Sequence, residues 1–204
     1  MGTMTPSARR NPSEVAHGNF SVERTIARIL KVNHAGEHGA IRIYRSQVAI
    51  ARWRCRDVVS ELEEMLAHEV SHRARFAEIM LSRHAKPCRM LFLWAIGGRL
   101  LGAGTALLGR NAIWACTAAV EEAVHRHLND QLAFLSSRDG ELYALIASIK
   151  SEELSHLHQA EKNLTSRGPI TRMLRRSIDT VTEVLIFMST SGDSVRMARE
   201  LVAK

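Results

Sequence analysis

Glu121 and Glu122 stand inside the run Ala118–Val124, which is otherwise apolar. An ionised acid taken out of water is costly unless it is paired or bound to a metal, so a carboxylate in an apolar helical stripe calls for a positive partner. The rest of the chain offers a set that could share such a partner. Glu37 precedes Glu69 by 32 residues, and Glu69 opens a Glu-x-x-His ending at His72. Glu121 precedes Glu153 by 32 residues, and Glu153 opens a second Glu-x-x-His ending at His156. One Glu from each of two helices and one Glu-x-x-His from each of two others is the ligand set of a carboxylate-bridged di-iron four-helix bundle. Four carboxylates can neutralise and bridge two divalent irons, and two imidazoles complete the set while leaving room for dioxygen. Residues three apart share a helix face, so the Glu and His of each motif can reach the bundle centre together.

The motif alone is weak. With 16 Glu and 10 His, about one Glu-x-x-His is expected by chance, and the chain has four: Glu14/His17, Glu69/His72, Glu122/His125 and Glu153/His156. The helical face discriminates among them. Glu14 and His17 fall in a polar lead broken by Pro6, Pro12 and Gly18, and are set aside. Glu121 shares its face with Trp114, Ala118, Val124, Leu128, Leu132 and Leu135, whereas Glu122 shares a small, polar face with Ala115, Ala118, Arg126 and Asn129. The inward carboxylate is therefore read as Glu121, and Glu122 as an (i, i+4) partner of Arg126. Metal-bound histidines usually donate their second N–H to a carboxylate or carbonyl. His34 and His127 are the candidates for hydrogen bonds near the metal. His38, His68, His84, His125 and His158 are read as surface residues.

These residues need helices to hold them. Apolar spacings of three and four predict a first helix over about 22–51, capped by Ser21, with Ile26, Leu30, Ile41, Tyr44 and Val48 in line with Glu37. Gly36 and Gly39 flank Glu37 and are expected to allow close approach of a neighbouring element or a substrate to the metal edge. A second helix over about 57–85 carries Leu62, Met65, Glu69, His72, Phe76 and Ile79 in one stripe and stops before Pro87. A third spans about 111–136. A fourth spans about 140–166, with Leu142, Ile146, Ile149, Glu153, His156 and Ala160 on one face, and stops before Gly168-Pro169. A fifth covers about 170–188, and a short last one starts at Asp193. Residues 1–20 are expected to form a disordered lead, and residues 21–204 one domain. No strand-type alternation occurs. The fold class is all-α, a four-helix bundle with C-terminal helices.

Residues 90–109 are almost purely apolar, about the length that spans a bilayer, yet contain Arg99 and five glycines. A charge at bilayer centre is unfavourable. The preferred reading is a segment lying in or on one leaflet, with Arg89, Arg99 and Arg110 meeting headgroups. A spanning helix and a buried connecting helix are the alternatives. The net charge of +7 favours an anionic partner, either an acidic membrane surface or nucleic acid. Aromatic content of 5% weakens base stacking, so no nucleic-acid partner is expected. Cys55, Cys88 and Cys116 are scattered and read as reduced thiols in a cytosol-like compartment. Residues 1–20 hold no apolar run of the secretory type, and Arg9 and Arg10 do not suffice for a transit peptide.

The chain resembles the demethoxyubiquinone hydroxylase family, membrane-associated di-iron enzymes of ubiquinone synthesis. The resemblance runs through Val32-Asn33-His34-Ala35-Gly36-Glu37, Gly39-Ala40, Arg42-Ile43-Tyr44, Leu101–Gly109, Val120-Glu121-Glu122 and Glu152-Glu153-Leu154-Ser155-His156. It covers roughly residues 25–190. It implies a ferritin-like fold with two irons, and dioxygen as cosubstrate. It also implies a polyprenyl benzoquinone substrate, with reduction by NADH or a protein donor. The ligands it implies are Glu37, Glu69, His72, Glu121, Glu153 and His156. It further implies a peripheral membrane location on the cytoplasmic face of a bacterial inner membrane or the matrix side of the mitochondrial one. A lipid-binding partner protein and a homo-oligomer are compatible with it. Two positions depart from the family: Leu128 and His38 stand where its members commonly carry Tyr.

The expected reaction is O2-dependent hydroxylation of a ring carbon of a polyprenyl demethoxybenzoquinone or quinol, one oxygen atom entering the ring and the other leaving as water. No Gly-x-Gly-x-x-Gly follows a strand, so no nucleotide fingerprint is present. A soluble ferritin-like iron oxidase or storage protein would use the same six residues without needing the apolar 90–109 stretch. A di-iron hydroxylase of RNA would need a basic patch at the metal mouth, and a metal-free membrane-adhering bundle would need no metal.

Overall fold

The computed structural model describes residues 12–192 together with 194, 195 and 199. Its elements are α1 (Pro12–Arg54), a 3-10 turn (Arg56–Val58), α2 (Val59–Ser82), α3 (Leu91–Leu108), α4 (Arg110–Leu135), α5 (Gly140–Asn163) and α6 (Pro169–Thr190). The described residues contain no strand. The short last helix expected from Asp193 lies largely outside them.

The sequence places the first helix start ten residues late. Ser21 does not cap α1 but lies inside it, and the helix begins at Pro12. Proline at the first helical position loses no intrahelical bond, and a single Gly18 costs only about 1 kcal/mol, so neither residue breaks the helix. Within the expected disordered lead, residues 12–20 are thus helical, and residues 1–11 lie outside the described residues. Glu14 and His17 are excluded from the site by distance rather than by a broken backbone. Glu14 is 23 residues before Glu37, roughly 35 Å along the helix.

The bundle is two helical pairs, α1 with α2 and α4 with α5, which bring the four predicted stripes together. Leu62, Met65, Glu69, His72, Phe76 and Met80 are buried on α2, and Leu142, Ile146, Ile149, Glu153, His156 and Ala160 on α5. One apolar cluster around Trp114, Tyr44 and Met65 lies toward one end of the bundle, and another around Phe76, Leu30 and Ile146 toward the other. The buried Glu and His residues lie between them. Asp139 caps α5 by accepting a bond from the Leu142 amide at 3.0 Å. The same carboxylate binds Arg83 at the end of α2 and so ties the two Glu-x-x-His helices.

Two further helices complete the domain. α3 lies on α1 and also touches α4, while α6 lies on α4 and also touches α1. The seat of α3 depends on the absence of side chains. A Cβ on Gly98 would come within 2.5 Å of the Gly39 carbonyl oxygen, and one on Gly102 within 2.3 Å of that of Ile43. Gly39 is filled by Trp94, whose ring would be 2.8 Å from an added Cβ. Gly39 therefore admits the close approach of a neighbouring helix, and it also lines the cavity beside the carboxylates. Gln47 reaches Thr105 at 3.1 Å across the same contact. The turn from α3 to α4 passes through Gly109 at φ +102°, a region open essentially to glycine.

α3 is long and apolar enough to cross a membrane, but a third of it is buried in protein. Its inner face holds Trp94, Ala95, Gly98, Gly102, Thr105 and Ala106. Its outer face exposes Phe92, Ile96, Leu100, Leu107 and Leu108. Of the three arginines expected at headgroups, Arg110 is instead engaged by Asp57 at 2.7 Å.

The close α1–α3 contact yields a stability test. Gly102→Ala should destabilise the protein by about 1–3 kcal/mol through overpacking. Gly104→Ala, which meets nothing within 4 Å, should be neutral or stabilise by up to about 1 kcal/mol. Thermal unfolding of the two variants checks this, and equal midpoints would contradict it.

Candidate metal centre

All six side chains singled out as ligands meet in the core. Glu69, Glu121 and Glu153 are each 2% exposed, His72 0%, His156 3% and Glu37 8%. Ligand atoms of Glu37, Glu69, His72 and Glu153 lie within 4.8 Å of one another, and so do those of Glu69, Glu121, Glu153 and His156. The two groups overlap in Glu69 and Glu153. The set could therefore hold two ions, with Glu37 and His72 available to one and Glu121 and His156 to the other.

Both imidazoles turn Nδ1 inward. His72 Nδ1 is 3.1 Å from Glu153 Oε1 and 3.9 Å from Glu37 Oε2. His156 Nδ1 is 3.2 Å from Glu153 Oε2, 3.5 Å from Glu69 Oε1 and 3.9 Å from Glu121 Oε1. Their outward nitrogens are held by residues that the sequence reading missed. His72 Nε2 lies 3.1 Å from Glu152, which Arg75 also contacts, and His156 Nε2 lies 2.9 Å from His68 Nδ1. The His68 ring also stacks on His156, with centroids 5.2 Å apart. His68 is thus no surface residue. The arrangement is reciprocal, since the residue before each Glu-x-x-His reaches the histidine of the other helix. A polar residue in that position of both motifs was the available signal. Such contacts fix the orientation and tautomer of a metal-binding imidazole.

Tyr44 donates a 2.9 Å hydrogen bond to Glu121. Tyr44 and Leu128 are 84 residues apart, the same offset that relates Glu37 to Glu121 and Glu69 to Glu153. Leu128 is therefore the counterpart of Tyr44 in the second helical pair. No phenol stands there, and the two halves of the centre differ at this point.

The remaining expectations divide. Glu122 is exposed and pairs with Arg175 of α6 at 2.9 Å, not with Arg126. Arg126 binds Asp179 and Glu183 instead. Docking of α6 on α4 offers these side chains partners across the interface that compete with the weak pair along one helix. His127 bonds Glu183 at 2.8 Å. His34 is buried with Nδ1 unpartnered. Neither hydrogen-bonds or ion-pairs with the six residues, although His127 lines the cavity beside four of them. His84 and His158 are exposed, whereas His38 and His125 are half-buried. Burial, then the charges of Arg73 and Arg42, push His38 down to about 4. Cys55, Cys88 and Cys116 are all free thiols.

The electrostatics fit a metal. Burial, followed by repulsion from Glu69, Glu153 and Glu121, raises Glu37 well above the ordinary glutamate range. Burial, then Glu153 and Glu69, do the same to Glu121, against the hydrogen bond from Tyr44. Burial also acts on Glu153, but hydrogen bonds from His156 and His72 outweigh it and hold its pKa down to about 2. Burial would lower His156, yet hydrogen bonding to Glu153 and Glu69 lifts it to about 9. Protons thus do in part what divalent cations would do fully. Glu69 Oε1 and His72 Nδ1 lack a hydrogen-bond partner of good geometry, as donors awaiting an ion would. An oxygen-rich set with two imidazoles suits iron or manganese of the ferritin-like carboxylate type.

Beside the centre lies a cavity of about 280 Å³. Glu37, Glu69, Glu121 and Glu153 form its polar end, and its walls include Val32, Ile43, Trp94, Leu101, Val124, Leu128, Leu174, Ile178 and Ile186. Gly36 lines it with nothing within 4 Å of an added Cβ, so this glycine does leave space beside Glu37. Trp94 of α3 donates to Ser189 of α6 at 2.9 Å and joins the two helices that wall the cavity. Val181 lines the cavity yet is 56% exposed, which places an opening beside α6. Asn33 and Gln131 pair reciprocally at 2.8 and 3.1 Å in its wall.

Residues 24–189 match the family described as ubiquinone biosynthesis protein COQ7. The chain belongs to that family. It is 38% identical over 183 residues to the 3-demethoxyubiquinol 3-hydroxylase of Rhodospirillum rubrum, covering 90% of this chain and 86% of the relative. It is 35% identical over 187 residues to the NADPH-dependent 3-demethoxyubiquinone 3-hydroxylase, mitochondrial, of Homo sapiens, covering 90% and 85%. It is 30% identical over 175 residues to the 5-demethoxyubiquinone hydroxylase, mitochondrial, of Saccharomyces cerevisiae, covering 78% and 75%. The COQ7 match spans all six buried Glu and His residues and nearly all of α3 and α6, which contribute walls of the cavity together with α1 and α4.

Two outcomes follow from this geometry. Glu121→Ala should lose metal-binding capacity, whereas Glu122→Ala should retain it, as metal analysis of the purified variants would show. The metal-free protein should also lose stability as pH rises. Glu37, Glu121 and His156 all have raised pKa values, so their stabilising protons are fully present below the unfolded pKa values. Those protons are lost as pH climbs from the ordinary glutamate range towards about 9. Glu153 acts oppositely, and its contribution disappears only as pH falls towards about 2. Unfolding midpoints of metal-free and metal-loaded protein between about pH 5 and 9 should diverge with rising pH, because metal binding displaces the same protons. Parallel curves would contradict this.

Proposed function

We infer that the protein is a ubiquinone-biosynthesis hydroxylase that inserts one oxygen atom from O2 into a ring carbon of a polyprenyl demethoxybenzoquinol. The observation that carries this is an apolar cavity ending on buried carboxylates, in a chain of the COQ7 family whose relatives are named for this hydroxylation. Two iron ions held by Glu37, Glu69, His72, Glu121, Glu153 and His156 would supply the activation of dioxygen and the electrons. Reduction by a nicotinamide nucleotide is supported by the names of the mitochondrial relatives.

The chain's own residues account for the rest of the chemistry. The aliphatic walls desolvate a quinol ring and keep bulk water from the reacting carbon. Gly36 leaves the ring room beside Glu37. Tyr44 holds Glu121 in one orientation, while Glu152 and His68 hold the two imidazoles. Burial and mutual repulsion favour the protonated forms of Glu37 and Glu121, a cost that bound cations would relieve.

An isoprenoid tail is too apolar to travel through water, so substrate must come from a membrane. The exposed face of α3, with Phe92, Ile96 and Leu100, and that of α6, with Val184, Phe187 and Met188, supply an apolar surface near the opening beside Val181. This supports peripheral attachment to the membrane that carries the quinone pool. A soluble iron oxidase would have no use for that surface or for a greasy cavity. The test is reaction of iron-loaded protein with a short-tailed demethoxyquinol, a reduced nicotinamide nucleotide and labelled dioxygen. One labelled oxygen should appear per hydroxylated ring, and unlabelled product would sink the assignment.

A further inference from the structure

His34, His38, Arg42 and Arg45 recur at intervals of three and four and so form one line along α1. None of them lines the cavity. Both α2 and α3 pack on α1, and each adds an arginine to the line. Arg42 lies against α3, with its Cβ 3.0 Å from where a Cβ on Gly98 would stand, and Arg99 is the next residue. The charges acting on His38 are those of Arg73, Arg42, His34 and Arg99, and those acting on Arg42 are Arg99, Arg45 and Arg73. Among the described residues, none of these four arginines lies within ion-pair distance of a carboxylate, although exposed arginines elsewhere, such as Arg52 and Arg110, are paired.

The cluster is also short of hydrogen bonds. His34 Nδ1, His38 Nδ1, Arg42 Nε and Arg73 Nε are buried and have no partner. His34 is only 6% exposed. Cations gathered without counter-charge repel one another, and buried donors without acceptors are unfavourable, so an anion rich in acceptor oxygens would be stabilised on this face.

We propose that the face of α1 between Arg73 of α2 and Arg99 of α3 binds a phosphate-bearing ligand. Phosphate offers several strong acceptors that match the planar fork of arginine. The line from residue 34 to residue 45 is about 16 Å long, room for a few phosphate groups. Two sources share this chemistry: the phosphates of a soluble nucleotide such as NADPH, and the headgroup of an anionic phospholipid, since Arg99 stands beside the exposed Ile96 and Leu100 of α3. The site does not depend on the oxygenation reaction.

The experiment uses full-length, metal-loaded protein and pyrophosphate as probe, with calorimetry at low and moderate salt. Wild type should bind pyrophosphate with an affinity that falls as salt rises. Arg73→Gln combined with Arg99→Gln should weaken it at least tenfold with iron content unchanged. Arg99→Gln alone, at an exposed position, provides a variant whose folding is not in question and should weaken binding several-fold. NADPH displacing pyrophosphate identifies a nucleotide as the source. Loss of binding to phosphatidylcholine vesicles containing phosphatidylglycerol in the double variant, with binding to neutral vesicles unchanged, identifies a headgroup. No pyrophosphate binding by wild type, or equal binding by Arg99→Gln and wild type, overturns the proposal whatever the hydroxylase assay shows.

Discussion

Four glutamates brought within ligand distance of one another in a dry core are the constraint on which the rest of the structure depends. Carboxylates so placed cannot all be ionised without cations, because burial and mutual repulsion both favour the protonated form. The protein meets this in two ways. Its two histidines point Nδ1 at the carboxylates and hold Glu153 ionised, while burial and repulsion push Glu37 and Glu121 towards their protonated forms. Divalent ions could replace those protons and that pairing together. The four bundle helices are the scaffold that makes the crowding tolerable, with apolar clusters on either side of the polar layer.

The centre has an approximate internal symmetry, and its departures from symmetry matter. Glu37 and Glu121, Glu69 and Glu153, and His68 and Glu152 correspond at one offset along the chain. His68 and Glu152 occupy matching positions but differ chemically, so the outward nitrogen of one imidazole faces another imidazole and that of the other faces a carboxylate. Tyr44 and Leu128 differ in the same way, and Leu128 turns an aliphatic wall towards the cavity where a phenol would bring a hydroxyl. Gly36 leaves space beside Glu37. The two helices outside the bundle, α3 and α6, add nothing to the six residues. They build the cavity walls, and the Trp94–Ser189 bond and the side-chain-free α1–α3 contact hold them in place.

Much of this was legible in the sequence. The buried face of α5 was the stripe read from spacing, and that of α2 differed only in exchanging Ile79 for Met80. The choice of Glu121 over Glu122 rested on the apolar neighbours of its face, and burial agrees with it. Periodicity carries that information because one buried stripe of a helix is imposed by solvent and needs no knowledge of what it packs against. The helix boundaries were less legible. Pro12 and Gly18 looked like breakers, yet a proline in the first turn and a single glycine are both compatible with a helix.

By itself, then, the sequence determined the all-helical class, the four bundle stripes and the six residues that face inward. The pairing of those residues, the partners of their outer nitrogens, the roles of Gly36 and Gly39, and the exchange of the Glu122–Arg126 pair for contacts with α6 were decided only in three dimensions. Each depends on which helix lies beside which, and contacts between residues 50 to 90 positions apart leave no mark in the spacing along either one.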